Sequence, residues 1–324
     1  MNEKALRTGP PVATVRERPT TLARVVTLIA VIVPPLSIVS IIGLWAGVGI
    51  GWLDVGLFVA LYFLCGLGIT IGFHRLFSHK SFRTSTPLKA TLAILGSMTL
   101  QGPVTQWVTD HRKHHALSDR EGDPHSPHGH DGFLAGVAGL WHAHVGWLVK
   151  TKGLERGRRW GRDLYEDPTI RAIDRLYFLW VMLSLGIPYA VGFAVGGADT
   201  AFQAFVWAGL FRVFLFDHVT WSVNSICHSF GERPYETGDE SRNVWVLAVP
   251  TMGEAWHNNH HAFPGSAVHG IDRGQVDISA LVIRGLERVG LIWDVKVPTP
   301  ERRARRLAAP PGAADAVEGS HTAR

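Results

Sequence analysis

The stretch LKATLAILGSMTLQG, residues 88–102, decides how this chain folds. It is apolar enough to enter a bilayer, yet fifteen helical residues reach only about 22 Å against a hydrocarbon core of ~30 Å. Read as a span, it places HRLFSH (74–79) and HRKHH (111–115) on opposite sides of a membrane. Read as a helix that lies at the interface or dips into it, it leaves both on one side.

Four other stretches approach the ~20 residues that a crossing needs. They are 26–46, with Pro34 and Pro35 expected to kink it, 53–73, 176–196 and 201–221. Charge placement supports this count. Of 32 Lys and Arg, 5 lie in 1–25, 15 in 74–175 and 11 in 222–324, with none in the loops 47–52 and 197–200. The remaining one, Arg212, sits inside the fourth stretch and is expected to pair with Asp217 or to snorkel. The positive-inside rule then puts both termini and the long central loop in the cytoplasm. The expected fold is an all-α integral membrane protein: four transmembrane helices, an interfacial helix at 88–102 and a cytoplasmic helical cap, together spanning 26–297. Residues 1–25 read as a cytoplasmic tail without a signal peptide's apolar core. The basic, Ala/Arg/Pro-rich residues 298–324 are expected to be disordered and to favour anionic lipid headgroups. Nothing points to nucleic acid. Two cysteines, Cys65 and Cys227, exclude a disulfide framework and any Cys-rich metal site.

Seventeen histidines are the anomaly, and they cluster. HRLFSH holds His74 and His79, HRKHH holds His111, His114 and His115, and GEAWHNNHHAFPG (253–265) holds His257, His260 and His261. The H-x-x-H-H spacing puts three imidazoles on one helical face. The i, i+5 pair does not, so the helix is expected to end or bend between His74 and His79. Any one cluster alone reads equally well as a surface helix. Three of them, all facing one compartment after two or four crossings, point to metal, for which neutral imidazole is the commonest ligand. Eight nitrogens exceed what one ion takes, so two ions are expected. Imidazole suits iron, zinc and copper alike. His125, His128 and His130 read as an exposed loop, and His142, His144, His218, His269 and His321 as structural or solvated.

The segments GITIGFHRLFSHKSF, DHRKHHALSDREGDPH, HVGWLVK, NSICHSFGERPY and GEAWHNNHHAFP, in that order over about residues 55–295, resemble the integral-membrane fatty acyl-CoA desaturases of the stearoyl-CoA (Δ9) type. The resemblance implies a di-iron centre held by nine histidines and, through water, one asparagine. Eight histidines are those of the three clusters; the resemblance alone supplies His228 and Asn224, which are i, i+4 neighbours. It implies that Asp119 and Asp123 orient the ligands. It places Trp107, Thr220 and Trp221 along an acyl tunnel, with Tyr62 and Gly66 near the closed end, where glycine leaves room for a long chain. Ordinary helix packing is the alternative for these five. Lys150 and Lys152 are implied phosphate contacts for CoA, and Asp110 lies near the carrier end. Gly102 stands where the family often has asparagine, so another thioester carrier or a phospholipid acyl chain stays open.

The activity implied is O2-dependent introduction of a cis double bond into a saturated acyl chain, with two waters as by-product. No cytochrome b5 motif is seen, so a separate electron donor is expected: a ferredoxin- or rubredoxin-type reductase, or cytochrome b5. The Ala/Arg/Gly-rich composition points to a bacterial source and hence the inner membrane. A lipid hydroxylase or ketolase is the nearest rival, and NSICHSFG favours desaturation. A metal transporter is the rival from another class, but it needs polar ligands near the bilayer midplane.

Overall fold

The computed structural model describes residues 27–28, 31–45, 49–128, 133–150 and 158–307. The tail 1–25, His130, Lys152, His321 and residues 308–324 lie outside them. Among the described residues two helical runs are long and apolar enough to cross a membrane, Trp52–Ser78 and Tyr177–Ser225. In the first expected span, residues 33–35 form a turn ahead of α1 (Leu36–Trp45). The interruption falls at Pro34 and Pro35, which cannot donate to a helix, and Leu36 N–H bonds only three residues back, to the Val33 carbonyl.

The helix α2 (Trp52–Ser78) ends between His74 and His79, as the spacing implies, with His79 as its C-cap. From Gly68 to Ser78 it widens into a π-helix, whose i→i+5 bonding brings residues five apart toward one side. His74 and His79 thereby come within 4.9 Å, centroid to centroid.

The 49-residue run Tyr177–Ser225 is two limbs. Gly196 (φ −147°, ψ 18°) and Gly197 (φ 77°, ψ −160°) leave helical geometry, and the second demands a left-handed backbone that glycine adopts without strain. The limbs are α9 (177–195) and α10 (198–225), broken where the loop 197–200, which holds no Lys or Arg, is expected. Phe178, Met182, Phe193 and Val195 of α9 are exposed, an outward apolar surface of the kind lipid covers. Arg212 neither snorkels nor reaches solvent. It is fully buried, its Nε donating to the Ala208 carbonyl (2.9 Å) and its Nη2 to Ser184 Oγ across the two limbs (2.7 Å).

The stretch 88–102 does not lie flat on an outer surface. Its helix α3 (Thr86–Ser97) buries Leu92, Ala93, Gly96 and Ser97 against the π-helical end of α2. A Cβ on Gly68 would stand 2.1 Å from the Gly96 nitrogen, so only glycine permits this crossing. Beyond Ser97 the Met98 carbonyl accepts from Ser184 Oγ of α9 (2.6 Å), and the chain turns back into α4 (Val104–Leu117). The expected interfacial helix is thus a wedge inside the bundle that leaves α4 on the same side as the end of α2.

After α4 come α5 (Phe133–Trp141), a π-turn His142–Gly146, α6 (Trp147–Lys150), α7 (Arg158–Glu166) and α8 (Pro168–Arg175). Pro103 gives α4 no side-chain cap. Asp174 of α8 caps it instead, accepting from the Val104 (2.8 Å) and Thr105 (3.1 Å) amides, which satisfies helix-end donors. Ile69, Phe73, Phe77, Ala93, Val104, Val108, Leu164, Ile170 and Phe216 form the apolar layer between these helices. Each large side chain so buried contributes roughly 1.5–3 kcal/mol to holding α2 against α4.

After α10 come α11 (His257–Ala262), α12 (Ile278–Arg288) and α13 (Pro300–Ala304). The fold is mostly helical, as expected, but one short ribbon departs from all-α: β1 (Arg83–Thr84) pairs antiparallel with β2 (Ile292–Trp293). Part of the tail expected to be disordered from 298 is also folded. Thr299 caps α13, Leu307 bridges to Tyr235, and Arg303 pairs with Asp272.

Candidate metal centre

Four segments deliver nine imidazoles: the π-turn of α2, α4, the turn after α10 and α11. Their ligating atoms sort into two groups, each within 4.8 Å: His74, His79, His111, His115 and His260; and His114, His228, His257 and His261. Helix periodicity explains the sorting. At 100° per residue, positions i and i+4 lie about 40° apart, while i+3 lies about 60° to the other side. His111 and His115 therefore enter one group and His114 the other; His257 and His261 enter the second and His260 the first. All eight histidines expected from spacing converge, and His228 joins them.

Four carboxylates fix the tautomers. Nδ1 of His114 donates to Asp123 (3.0 Å), Nδ1 of His228 to Asp119 (2.8 Å), Nδ1 of His261 to Asp239 (2.7 Å) and Nδ1 of His74 to Glu254. Each bond leaves Nε2 with its lone pair turned inward. Burial alone would raise these carboxyls, but their imidazole partners hold Asp119, Asp123 and Asp239 below the usual carboxylate range. Arg75 and His74 do the same for Glu254. Burial, then the neighbouring imidazoles, pushes His79, His111, His115, His257 and His260 well below an ordinary histidine, so these rings are neutral at physiological pH.

The nitrogens fit metal. Nε2 to Nε2 separations are 2.8 Å for His79–His111, 3.0 Å for His74–His260, 2.9 Å for His260–His115 and 3.0 Å for His228–His257. Lone pairs cannot hydrogen-bond one another, and His114 and His261 leave Nε2 buried without a partner. A cation bound at about 2.0–2.1 Å by imidazoles at right angles sets neighbouring nitrogens about 2.9 Å apart. Neutral ligands leave the ions' charge uncompensated; the four ionised carboxylates offset it. Asp239→Asn removes one such charge and is expected to lower metal affinity about 10–100-fold, read as earlier loss of iron on titration with a chelator.

Spacing did not find Glu254, Asp239 or Arg75. Glu254 stands three residues before His257 inside the motif, a signal open to a search for ligand partners. Arg75 is wholly buried, donating to the Thr70 and Ala267 carbonyls (both 3.1 Å), the Asp277 carboxylate (3.1 Å) and Glu254. Two histidines read as exposed or structural lie against the centre. Buried His125 lies 4.3 Å from His114, its ring tilted by 33°, and buried His269 lies 4.5 Å from His260. His128 is part-exposed and bonds the His228 carbonyl (2.7 Å), while His144 and His218 pair with each other (2.9 Å).

Two contiguous cavities adjoin the centre. The outer, farther from the imidazoles and ≈50 Å3, is lined by Trp107, Asp110, His111, Thr220, Trp221 and Asn224 among others. The inner, also ≈50 Å3, shares Trp107, His111, Thr220 and Asn224 and runs on to Ile69, Phe216 and Val223, with His114 and His257 in its wall. Trp107 lies 5.0 Å from the His111 ring, nearly parallel to it. Tyr62 and Gly66 line neither cavity and instead stand behind Phe216. Tyr62 meets that ring edge-on at 5.2 Å and donates to the Pro250 carbonyl (2.8 Å). The room expected at Gly66 is filled: a Cβ there would lie 2.5 Å from Met252 Cε. Lys150 is exposed and lines neither cavity.

Residues 50–277 match the family model for fatty acid desaturases. Among curated proteins, a hex-5-enoyl-[acyl-carrier protein] acetylenase of Moorena producens (strain JHB) is 41% identical over 86% of this chain and 88% of its own length. An sn-1 stearoyl-lipid 9-desaturase of Anabaena variabilis is 38% identical over 76% and 85%, and an acyl-CoA C20 Delta5-desaturase of Anemone leveillei 38% over 76% and 75%. A histidine-walled centre beside an apolar cavity and a match across most of the chain lead to one assignment: this chain belongs to the fatty acid desaturase family.

Proposed function

We propose that the chain is an O2-dependent acyl desaturase that places a cis double bond, at Δ9, in a saturated long-chain acyl group carried on a thioester such as acyl-CoA or on a lipid. The observation that carries this reading is the pair of imidazole groups, five and four, facing a cavity shaped for hydrocarbon. An unactivated methylene has no acidic proton and no leaving group, so acid, base or nucleophile on the protein cannot open it. Two bound irons, with O2 and two electrons, supply an oxidant able to do so. The balance is one CH2–CH2 unit, O2, two electrons and two protons giving CH=CH and two waters. The chain's own residues do the rest. Trp107, Thr220 and Phe216 hold the chain and exclude water, Asn224 lines the cavity beside His74, His111, His114 and His257, and the four carboxylates keep the Nε2 of His74, His114, His228 and His261 available.

The topology that goes with this reading is four crossings, with both termini and the centre cytoplasmic, in the plasma membrane of a bacterium. Electrons come from a separate ferredoxin- or rubredoxin-type donor or cytochrome b5. The acetylenase relative favours a second reading, in which the same site removes two hydrogens from an existing double bond. Expression in a desaturase-deficient host, followed by fatty-acid profiling, separates these. A new Δ9 monoenoic acid is expected; an acetylenic acid selects the second reading, and an added oxygen makes the enzyme a hydroxylase.

A further inference from the structure

The helix α5, FLAGVAGLW, has no polar side chain. Its large residues point away from the protein: Phe133 is 84% exposed, Leu134 81%, Trp141 68%, and Val137 half-exposed. Only Gly139 is buried, and it fixes the helix, because a Cβ there would stand 2.0 Å from the Pro127 carbonyl oxygen. Pro127 belongs to the loop that carries His125 into the outer cavity. At its other end α5 runs through the π-turn into α6, whose Trp147 and Leu148 pack on Trp221 of α10 and on Val31. Thr27, Val31, Trp147 and Leu148 all line the outer cavity. An apolar helix is thus braced beside a cavity wall made by the first apolar segment and α6. Nine residues reach about 13 Å, too short to cross a bilayer, and a helix without a polar face is unsuited to water. A second exposed apolar set, Trp245, Val246 and Val249, adjoins Pro250, which Tyr62 of α2 holds. Exposed apolar surface on the cap therefore gathers where the cap meets the long apolar helices.

We propose that α5 is embedded in the bilayer interface, and that the acyl chain enters the outer cavity from the lipid phase, where Thr27, Val31, Trp147 and Leu148 line it. This rests on the desaturase reading and sharpens it: the substrate is an acyl chain held in the membrane, as part of a lipid, rather than one delivered from water.

The test uses the full chain in phospholipid nanodiscs. Spin labels at Leu134→Cys and Val137→Cys are compared with one at exposed Glu301→Cys; the native Cys65 and Cys227 are buried. Labels on α5 are expected to collide with dissolved O2 and to meet a water-soluble nickel chelate at least ten-fold less than the label at 301. Equal nickel access overturns the placement, as does protection that arises only on adding an acyl carrier protein, which would make α5 a protein-docking helix. In a second arm the enzyme is offered stearoyl chains in phosphatidylcholine of the same bilayer, or soluble stearoyl-CoA. Phe133→Ser/Leu134→Ser is expected to slow lipid-chain oxidation at least five-fold with iron content unchanged. Turnover of soluble stearoyl-CoA alone overturns the lateral route. An enzyme that oxidises neither sinks the desaturase reading, while the labels still decide where α5 lies.

Discussion

Replacing His260 by alanine is expected to cut double-bond formation more than about 100-fold, beyond the range that loss of a ligand's hydrogen-bonded partner costs. His260 is the one side chain of α11 that enters the five-membered group. Its Nε2 lies 3.0 Å from that of His74 and 2.9 Å from that of His115, so it joins α2, α4 and α11 at one point. Without it the remaining four imidazoles come only from α2 and α4. Initial rates in membranes and iron per purified chain measure the effect. His114→Ala should do the same to the second group. His218→Ala, whose ring pairs with His144 instead, is expected to leave iron content unchanged. A normal product from His260→Ala would remove that residue from the ligand set.

The largest loss of stability is expected from Arg75→Met. The guanidinium is fully buried and faces both Glu254 and Asp277. Asp277 in turn accepts from the His269 amide (2.7 Å) and caps α12 through the Ala280 amide (2.8 Å). Methionine preserves much of the volume but leaves two buried carboxylates without a counter-charge, and breaking a buried pair in this way costs about 3–5 kcal/mol. The measurable outcome is a lowered midpoint of thermal unfolding in detergent, with iron lost in the same step, since Glu254 orients His74. Glu254→Gln in the Arg75→Met background should recover part of the midpoint, because it removes one unpaired charge. A midpoint equal to wild type for Arg75→Met would show that the guanidinium is not needed to hold the cap on α2.

Eight of the nine converging histidines were legible in the sequence because helix geometry turns spacing into direction; His228 was not, and only the resemblance supplied it. H-x-x-H-H must point three rings the same way, and it occurs twice. The break at Gly196–Gly197 was legible as a short loop without Lys or Arg between two apolar runs. The π-helical end of α2 was not, since no residue pattern there distinguishes i→i+4 from i→i+5 bonding. The i, i+5 spacing of His74 and His79 was its only trace. Residues 88–102 were readable as too short to span, but not as a wedge, because their burial depends on Gly68 meeting Gly96 from a different helix. Asp239 and Arg75 reach the centre through contacts 22 and 179 positions along the chain, and His269 lies against His74, 195 positions before it; spacing carries no record of such contacts. The free volume at Gly66 was misread for the same reason, since Met252, which fills it, lies far along the chain.

The most direct measurement is the metal content of the intact protein, purified from iron-replete cells in active form, read together with its Mössbauer spectrum. Two irons per chain are expected, both in nitrogen-rich environments and both lost together with activity on chelation. An active preparation holding one iron, or zinc in its place, would contradict a paired centre built from the five and four imidazoles.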